Sequence, residues 1–307
     1  MKGLTEAKQM LESNPADFVE QEIKGFVRTS ADNRLPFMRD YIMWDEPIIG
    51  FADGDDRIFD QYKTIISPEH LTPREALAKS CGKGPEELPS KLSVISWILP
   101  ATEETRKSNR TEVRLPSRLW SHTRWYGEKF NDKLRTYVVE FMTDLGYLAT
   151  APFMQPYFKM FSSDKGPYSN WSERHVAYAA GLGTFSLSDG LITERGIAIR
   201  CGSVVTSLEV PATPRTASGP YSNCLFYSGV NCRACIDRCP AGAISEKGHD
   251  KKKCQKYLGD IGYSRQLSNQ GYDNEKSVAG CGLCQTKVPC EFHNPTVRLN
   301  KKLHSRK

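Results

Sequence analysis

The distribution of cysteines constrains the fold of this chain more than any other feature. Only Cys81 and Cys201 precede residue 224, and the other eight of the ten cysteines lie between Cys224 and Cys290. The densest stretch, residues 231–240, reads NCRACIDRCP and spaces three cysteines by two and three residues before a proline. In a chain kept in a reducing compartment, such spacing indicates metal ligation rather than disulfide bonds or ordinary core packing.

The composition and the first residues indicate a cytoplasmic protein. The start, MKGLTEAKQMLESN, contains no apolar signal region, and no apolar run approaches the length of a membrane span. A length of 307 residues, with 39% hydrophobic and 25% charged residues, suits a large globular domain followed by a smaller one. The formal charge of +6 counts the thiols as neutral, so thiolates bound to iron would lower it. The charge is therefore weak evidence that the protein binds nucleic acid.

The eight clustered cysteines divide into two groups of four. They follow the patterns C-x7-C-x2-C-x3-C-P from Cys224 and C-x26-C-x2-C-x5-C from Cys254. Four thiolates complete one [4Fe–4S] cluster, and in two-cluster ferredoxins the cysteine before proline ligates the other cluster. The spacing therefore predicts one cluster on Cys224, Cys232, Cys235 and Cys290 and a second on Cys239, Cys254, Cys281 and Cys284.

Two alternatives to this assignment come from the same residues. The two C-x2-C pairs would also suit structural zinc sites, although the x3-Cys-Pro ending and the AGAI that follows it favour iron–sulfur clusters. Cys224 is the least secure ligand, because a tighter motif would place a cysteine at Gly229. Without Cys224, the first cluster would have three irons or a non-cysteine ligand. We interpret Cys81 and Cys201 as buried core thiols.

The rest of the chain predicts a few elements and one boundary. Asn14 followed by Pro15 predicts a helix start, and Thr72 with Glu75 forms a capping-box pattern. Residues 92–99 predict a buried strand, and residues 117–145 predict a long helix. The stretch PATPRTASGP has the composition of a linker and marks a boundary between residues 1–213 and 214–307.

Residues 173–210, ERHVAYAAGLGTFSLSDGLITERGIAIRCGSVVTSLEV, resemble the corrinoid-binding stretch of epoxyqueuosine reductases and reductive dehalogenases. In those enzymes, a helix ends in an Ala-Gly-Leu-Gly turn. A loop and strands follow, one of them of the form Gly-x-Val-x-Thr, and lead into a double-cubane module. The segments KKCQKYLG and AGCGLCQ are also similar to the second-cluster region of the family. The resemblance covers roughly residues 120–295.

This resemblance implies an α+β protein with a nitroreductase-like, cobalamin-binding α/β domain before a ferredoxin-like domain with two [4Fe–4S] clusters. It implies base-off cobalamin without a protein ligand on cobalt, and the chain lacks the Asp-x-His-x-x-Gly pattern that supplies one. A low-potential donor of the ferredoxin or flavodoxin type would feed the clusters, and cobalt would reduce an electrophilic substrate. The implied corrinoid contacts are Gly181, Gly183, Thr184, Phe185, Ser186, Arg200, Gly202 and Val205.

The chain departs from the family at the proton donor. The Gly-x-Asp-Tyr-His segment of epoxyqueuosine reductases corresponds to residues 127–131, where Lys129 replaces the aspartate. Lysine is a poor acid at neutral pH unless burial lowers its pKa. Reductive dehalogenases pair a tyrosine with a basic neighbour, so Tyr126 and Lys129 become the candidate catalytic pair. The alternative is a surface lysine beside a half-buried tyrosine.

Two other functions are compatible with these residues. The chain could be an iron–sulfur partner that reduces a separate corrinoid protein, which the altered proton donor favours. It could also hold flavin, because nitroreductase-like domains can bind either cofactor. The substrate, whether a small molecule or borne on tRNA, is left open by the sequence, and no membrane association is expected.

Overall fold

The computed structural model describes residues 10–262 and 280–297 as a mixture of helices and short strands. Residues 10–13 are helical and precede α1. The α-helices are α1 (Pro15–Thr29), α2 (Ile58–Ile65), α3 (Pro73–Cys81), α4 (Glu103–Arg110), α5 (Arg118–Asp144), α6 (Glu173–Ala179), α7 (Ala234–Asp237) and α8 (Lys251–Gly262). The strands are β1 (Arg34–Leu35), β2 (Met38–Ile42), β3 (Ile48–Asp53), β4 (Ser93–Pro100), β5 (Ala149–Thr150), β6 (Met160–Ser163), β7 (Gly166–Ser169), β8 (Gly183–Phe185), β9 (Leu191–Thr193), β10 (Ile199–Thr206), β11 (Ile244–Ser245) and β12 (Gly248–His249).

The centre of the molecule is a four-stranded antiparallel sheet in the order β3–β4–β10–β5. All eight residues of β4 are buried, which confirms the predicted strand. Because successive side chains point to opposite faces, Trp97 and Val204 enter the core shared with α1 and α5. Val94 and Val205 enter the core shared with α3 and α6. The sheet therefore lies between two layers of helices.

Local capping fixes the starts of the long helices. The side chain of Asn14 accepts a hydrogen bond from the Asp17 backbone N–H, and Pro15 occupies the first turn of α1. Thr72 and Glu75 form the predicted capping box of α3. Both predicted helix starts are confirmed, and α5 lies within the predicted residues 117–145.

The segment 211–220 contains no helix or strand, as predicted for a linker, but it is bound to the sheet. The Thr213 backbone N–H donates to the Phe51 carbonyl at 2.9 Å, and the Phe51 N–H donates to Thr213 Oγ1 at 2.9 Å. The segment therefore covers part of the free edge of β3, which would otherwise expose unpaired backbone groups.

The cysteine-rich region is also tied to the central sheet. The Ile197 N–H donates to the Cys290 carbonyl at 2.8 Å, and the Ala198 N–H donates to the Glu291 carbonyl at 3.2 Å. The mixed helix-and-sheet character expected of the fold is confirmed, whereas the domain bounds 1–213 and 214–307 stay predictions. Over residues 10–262 and 280–297, no helix has the length and apolar character that a membrane crossing requires.

Candidate functional site

The first group of thiols converges from three segments of the chain. Cys232 and Cys235 flank the start of α7, Cys224 precedes them in a loop, and Cys290 comes from the C-terminal segment. Together with Ser186 they line one small cavity. Burial, together with the neighbouring thiols of Cys224 and Cys232, raises the pKa of the Cys235 thiol to about 12. Burial and the same neighbours raise the pKa of the Cys290 thiol as well.

The second group converges in the same way from three other segments of the chain. Cys254 lies in α8, Cys281 and Cys284 lie at a short 3₁₀ turn, and Cys239 follows α7. Burial raises the pKa of Cys254 to about 11, with contributions from Cys281 and Cys239. Burial and the same three thiols raise the pKa of Cys284 far above its ordinary value. The structure thus brings the eight thiols together in the two predicted sets of four, while their role as ligands stays a prediction.

The donor set of each group suits an iron–sulfur cluster. Each group offers four thiols, and a [4Fe–4S] cubane binds one thiolate at each of its four irons. The two groups are neighbours, because Cys235 also acts electrostatically on Cys284.

The surroundings of the thiols are apolar. Ile192, Ile197 and Val288 pack around the first group, and Leu258 and Ile261 pack beside Cys281 of the second. The Ala243 N–H donates to the sulfur of Cys239 at 3.3 Å. Burial and hydrogen bonds to sulfur are two factors by which proteins set the potential of a cluster.

A large cavity has sequence neighbours of Cys224 in its wall. Its volume is about 1380 Å³, and Gly181, Gly183 and Thr184 are part of its wall. The linker and residues 294–297 complete much of the remaining wall. Asn223 and Tyr227, which also line it, flank Cys224 in the chain. Pockets for drug-sized ligands measure about 300–1,000 Å³, so this cavity is large enough for a macrocycle.

The glycines of the Ala-Gly-Leu-Gly turn are required by the chain itself. Gly181 has a φ of +74° directly after α6, a conformation that favours glycine at a helix end. A Cβ atom at Gly183 would lie 2.5 Å from the carbonyl oxygen of Ile192 in the paired strand β9. These two glycines therefore allow the turn and the hairpin to form, whether or not a ligand fills the cavity.

The other predicted corrinoid contacts are not brought together. Ser186 lines the cavity of the first thiol group, and Phe185 packs against the rings of His175 and Tyr178, 4.7 and 5.7 Å away. The Phe185 N–H donates to the Pro220 carbonyl of the linker. Arg200 pairs instead with Glu128 of α5.

Gly202 and Val205 lie inside the sheet, away from the large cavity. A Cβ atom at Gly202 would lie 2.5 Å from the Trp97 ring, which explains the glycine by packing. Val205 is fully buried in the core beneath α6. Neither residue is among those that line the large cavity.

Tyr126 and Lys129 contact each other on one face of α5. The Lys129 ammonium lies 5.5 Å from the centre of the Tyr126 ring and 5.6 Å from that of Trp125. Tyr126 is half-buried against Phe37, with 5.7 Å between ring centres, and Lys129 is exposed. Neither lines the large cavity, so their arrangement matches the alternative of a surface lysine beside a half-buried tyrosine.

A buried ionic network that the sequence did not predict is centred on α5. The guanidinium of Arg135, whose side chain is 1% exposed, lies 2.9 Å from Glu128, 2.6 Å from Asp132 and 3.1 Å from Glu173. Although burial raises the pKa of Glu128, the charges of Arg200 and Arg135 outweigh it and hold that pKa at about 2. Glu128, Asp132 and Arg135 are spaced four and three residues apart within α5, and this spacing in the sequence indicates part of the network.

The position that corresponds to the family's histidine is structural in this chain. Asn131 is fully buried, accepts a hydrogen bond from Trp97 Nε1 at 2.8 Å, and donates to the Cys201 carbonyl at 3.0 Å. It therefore joins α5 to β4 and β10.

Comparison with known proteins identifies relatives for part of the chain. No family model matches it. An epoxyqueuosine reductase of Bacillus anthracis is 31% identical over 130 residues, which are 40% of this chain and 31% of that protein. One of Leadbetterella byssophila is 33% identical over 115 residues, covering 37% and 35% of the two chains. Over these residues the chain is similar to epoxyqueuosine reductases. It spans about a third of the length of these curated relatives.

Solved structures that align with much of this chain include epoxyqueuosine reductases and reductive dehalogenases. An epoxyqueuosine reductase bound to an epoxyqueuosine-modified tRNA-Tyr stem loop aligns over 89% of this chain and 65% of its own, with 19% identity and a TM-score of 0.48. A catabolic reductive dehalogenase in complex with 3-bromo-4-hydroxybenzoic acid aligns over 83% and 31%, with 14% identity and a TM-score of 0.49.

Proposed function

We propose that this protein is an oxidoreductase of the epoxyqueuosine reductase and reductive dehalogenase type, with a cobalamin domain and two [4Fe–4S] clusters. The observation that carries the proposal is the convergence of eight thiols into two adjacent groups, together with a cavity of about 1380 Å³ whose wall includes Asn223, the residue before Cys224. When bound, the clusters would supply one-electron carriers and cobalamin a reducing metal centre.

The residues of the chain have distinct tasks in this proposal. The four thiols of each group bind a cluster, and the apolar side chains around Ile192 and Ile197 exclude water from the first. Gly181, Gly183 and Thr184, with the linker, form the wall that receives the macrocycle. The nitroreductase-like and ferredoxin-like descriptions of the two regions belong to the same proposal, as does a ferredoxin- or flavodoxin-type electron donor.

We infer that the substrate is an electrophile that accepts two electrons and a proton. Epoxyqueuosine on tRNA is the first compound to assay, because one structural neighbour is an epoxyqueuosine reductase bound to an epoxyqueuosine-modified tRNA stem loop. Tyr126 and Lys129 are the proposed proton donor and its basic neighbour. Turnover should fall in Tyr126→Phe and Lys129→Ala and stay near wild type in Lys133→Ala, an exposed lysine on the same helix. Equal activity in all three variants would remove the pair from the mechanism.

The cobalamin proposal is tested by anaerobic reconstitution followed by absorbance and EPR spectra. The expected result is a base-off cobalt(II) signal together with the signals of two reduced clusters. Replacing an alanine in the cavity wall, Ala217→Trp, should weaken cobalamin binding and leave the clusters intact. The matched control is Ala31→Trp, on an exposed alanine that does not line the cavity. Absence of a corrinoid signal overturns the cobalamin proposal. Flavin in the cofactor extract would support the alternative in which the large domain binds flavin.

A second function is favoured by one specific observation. Tyr126 and Lys129 lie outside the large cavity, as expected if this chain passes electrons to a separate corrinoid protein and performs no chemistry itself. Turnover of an epoxide or halide by the isolated protein with cobalamin and a reductant would contradict this alternative.

A further inference from the structure

Arg238 connects the two segments that carry three of the four thiols of the second group. It immediately precedes Cys239, and its side chain is half-buried. Its Nε atom donates to the carbonyl oxygens of Leu283 at 3.3 Å and Thr286 at 3.1 Å, which lie on either side of Cys284. The guanidinium is thus fixed against the backbone turn that holds the second group.

The other donors of Arg238 reach the end of α4. Its Nη1 donates to the Glu112 carbonyl at 2.6 Å, and its Nη2 donates to the Asn109 carbonyl at 3.1 Å. Asn109 in turn donates from Nδ2 to the Cys281 carbonyl at 3.3 Å. The acceptors within 3.3 Å of the guanidinium are all neutral carbonyl groups.

The charge of Arg238 is therefore not cancelled by a neighbour. Within residues 10–262 and 280–297, no carboxylate lies within 4.0 Å of its guanidinium. Glu291 acts on it only from farther away, and this carboxylate already pairs with Arg106 at 3.5 Å and Arg110 at 2.7 Å. The Glu112 carboxylate also acts at longer range.

The two groups of thiols differ in this respect. Arg238 precedes Cys239 and is held against the carbonyls on both sides of Cys284 in the second group. Arg233, which follows Cys232 in the first group, is 45% exposed and pairs with Glu246. Among the described residues, the arginine at the second group is therefore fixed and unpaired with a carboxylate, whereas the arginine at the first group is exposed and paired.

We propose that Arg238 separates the reduction potentials of the two clusters by raising that of the second. This inference rests on the proposed function, since it requires the clusters. An added electron makes a cluster more negative, so a nearby positive charge stabilises the reduced form. We expect the charge to change the one-electron equilibrium constant about tenfold, which corresponds to about 59 mV.

The test is a potentiometric titration of the reconstituted protein followed by EPR. In Arg238→Gln the midpoint of the second cluster should fall by about 59 mV, while that of the first moves much less. The EPR signals are assigned with Cys254→Ser, which changes a ligand of the second cluster. The signal that is altered in this variant belongs to the second cluster. Arg238→Lys keeps the charge but loses the planar set of donors. In this variant the midpoint of the second cluster should stay close to that of the wild type.

A matched control is the neighbouring arginine at the first group. Arg233 follows Cys232, is 45% exposed and pairs with Glu246, so Arg233→Gln should shift neither midpoint appreciably. Equal midpoints in wild type and Arg238→Gln overturn the inference, as does an equal shift in Arg238→Lys and Arg238→Gln, which would mean altered packing. A wild-type protein without cluster signals refutes the proposed function itself.

Discussion

Removing the cation at the centre of the ionic network should destabilise the protein severely. Arg135→Met keeps the length and much of the apolar volume of the side chain but leaves Glu128 and Glu173 facing each other without their shared guanidinium. Their side chains are 20% and 11% exposed, so water compensates only partly. Breaking a buried ion pair from one side costs about 3–5 kcal/mol, and we expect that loss in the free energy of unfolding.

The assay is equilibrium urea unfolding followed by far-ultraviolet circular dichroism, with the protein prepared identically for every variant. Lys133→Met is the matched control, because this lysine lies two residues earlier in α5, is 56% exposed and pairs with Asp32. Its loss should cost about 0–1 kcal/mol. Adding Glu173→Gln to Arg135→Met should recover part of the stability. A cost for Arg135→Met no larger than that for Lys133→Met would refute the role of the network.

Two further predictions concern stability. Burial lowers the pKa of His70 to about 4, so the folded protein keeps it neutral while the unfolded chain protonates it near pH 6.5. The lowered pKa of His70 should therefore contribute about 3 kcal/mol to the free energy of unfolding above pH 6.5. This contribution should be lost as the pH falls toward 4. His70→Gln should flatten this part of the pH profile of the urea midpoint, and an unchanged profile would contradict the assignment. Gly202→Ala should cost about 1–3 kcal/mol, because its Cβ atom would overlap the Trp97 ring. Gly259→Ala, in α8 with nothing within 4 Å of the new atom, should be neutral or stabilising in the same unfolding assay.

The sequence predicts best what depends on neighbouring residues. Asn14 and the Thr72–Glu75 pair cap the predicted helices, because a cap needs only the next three residues. The mostly apolar sequence of β4 predicts a strand covered on both faces. The assignment of the eight thiols to two clusters follows from their spacing and stays a prediction.

The sequence predicts less well which side chains share a cavity. Gly202 and Val205 belong to a segment that resembles a cofactor-binding stretch, yet the central position of β10 places them between two layers of helices. Arg135 escaped prediction because its partner Glu173 lies 38 residues away, and only the packing of α6 near α5 and β10 brings the two together. Contacts of this kind depend on tertiary structure and leave no local pattern.

The most direct measurement is the content of iron, acid-labile sulfide and zinc in protein purified without oxygen. If the eight thiols bind two [4Fe–4S] clusters, each chain should contain about eight irons and about eight sulfides, with zinc near zero. Cys254→Ala, which removes one thiol of the second group, should lower both values and leave the first cluster. About two zinc ions per chain with no sulfide would contradict the account at its foundation.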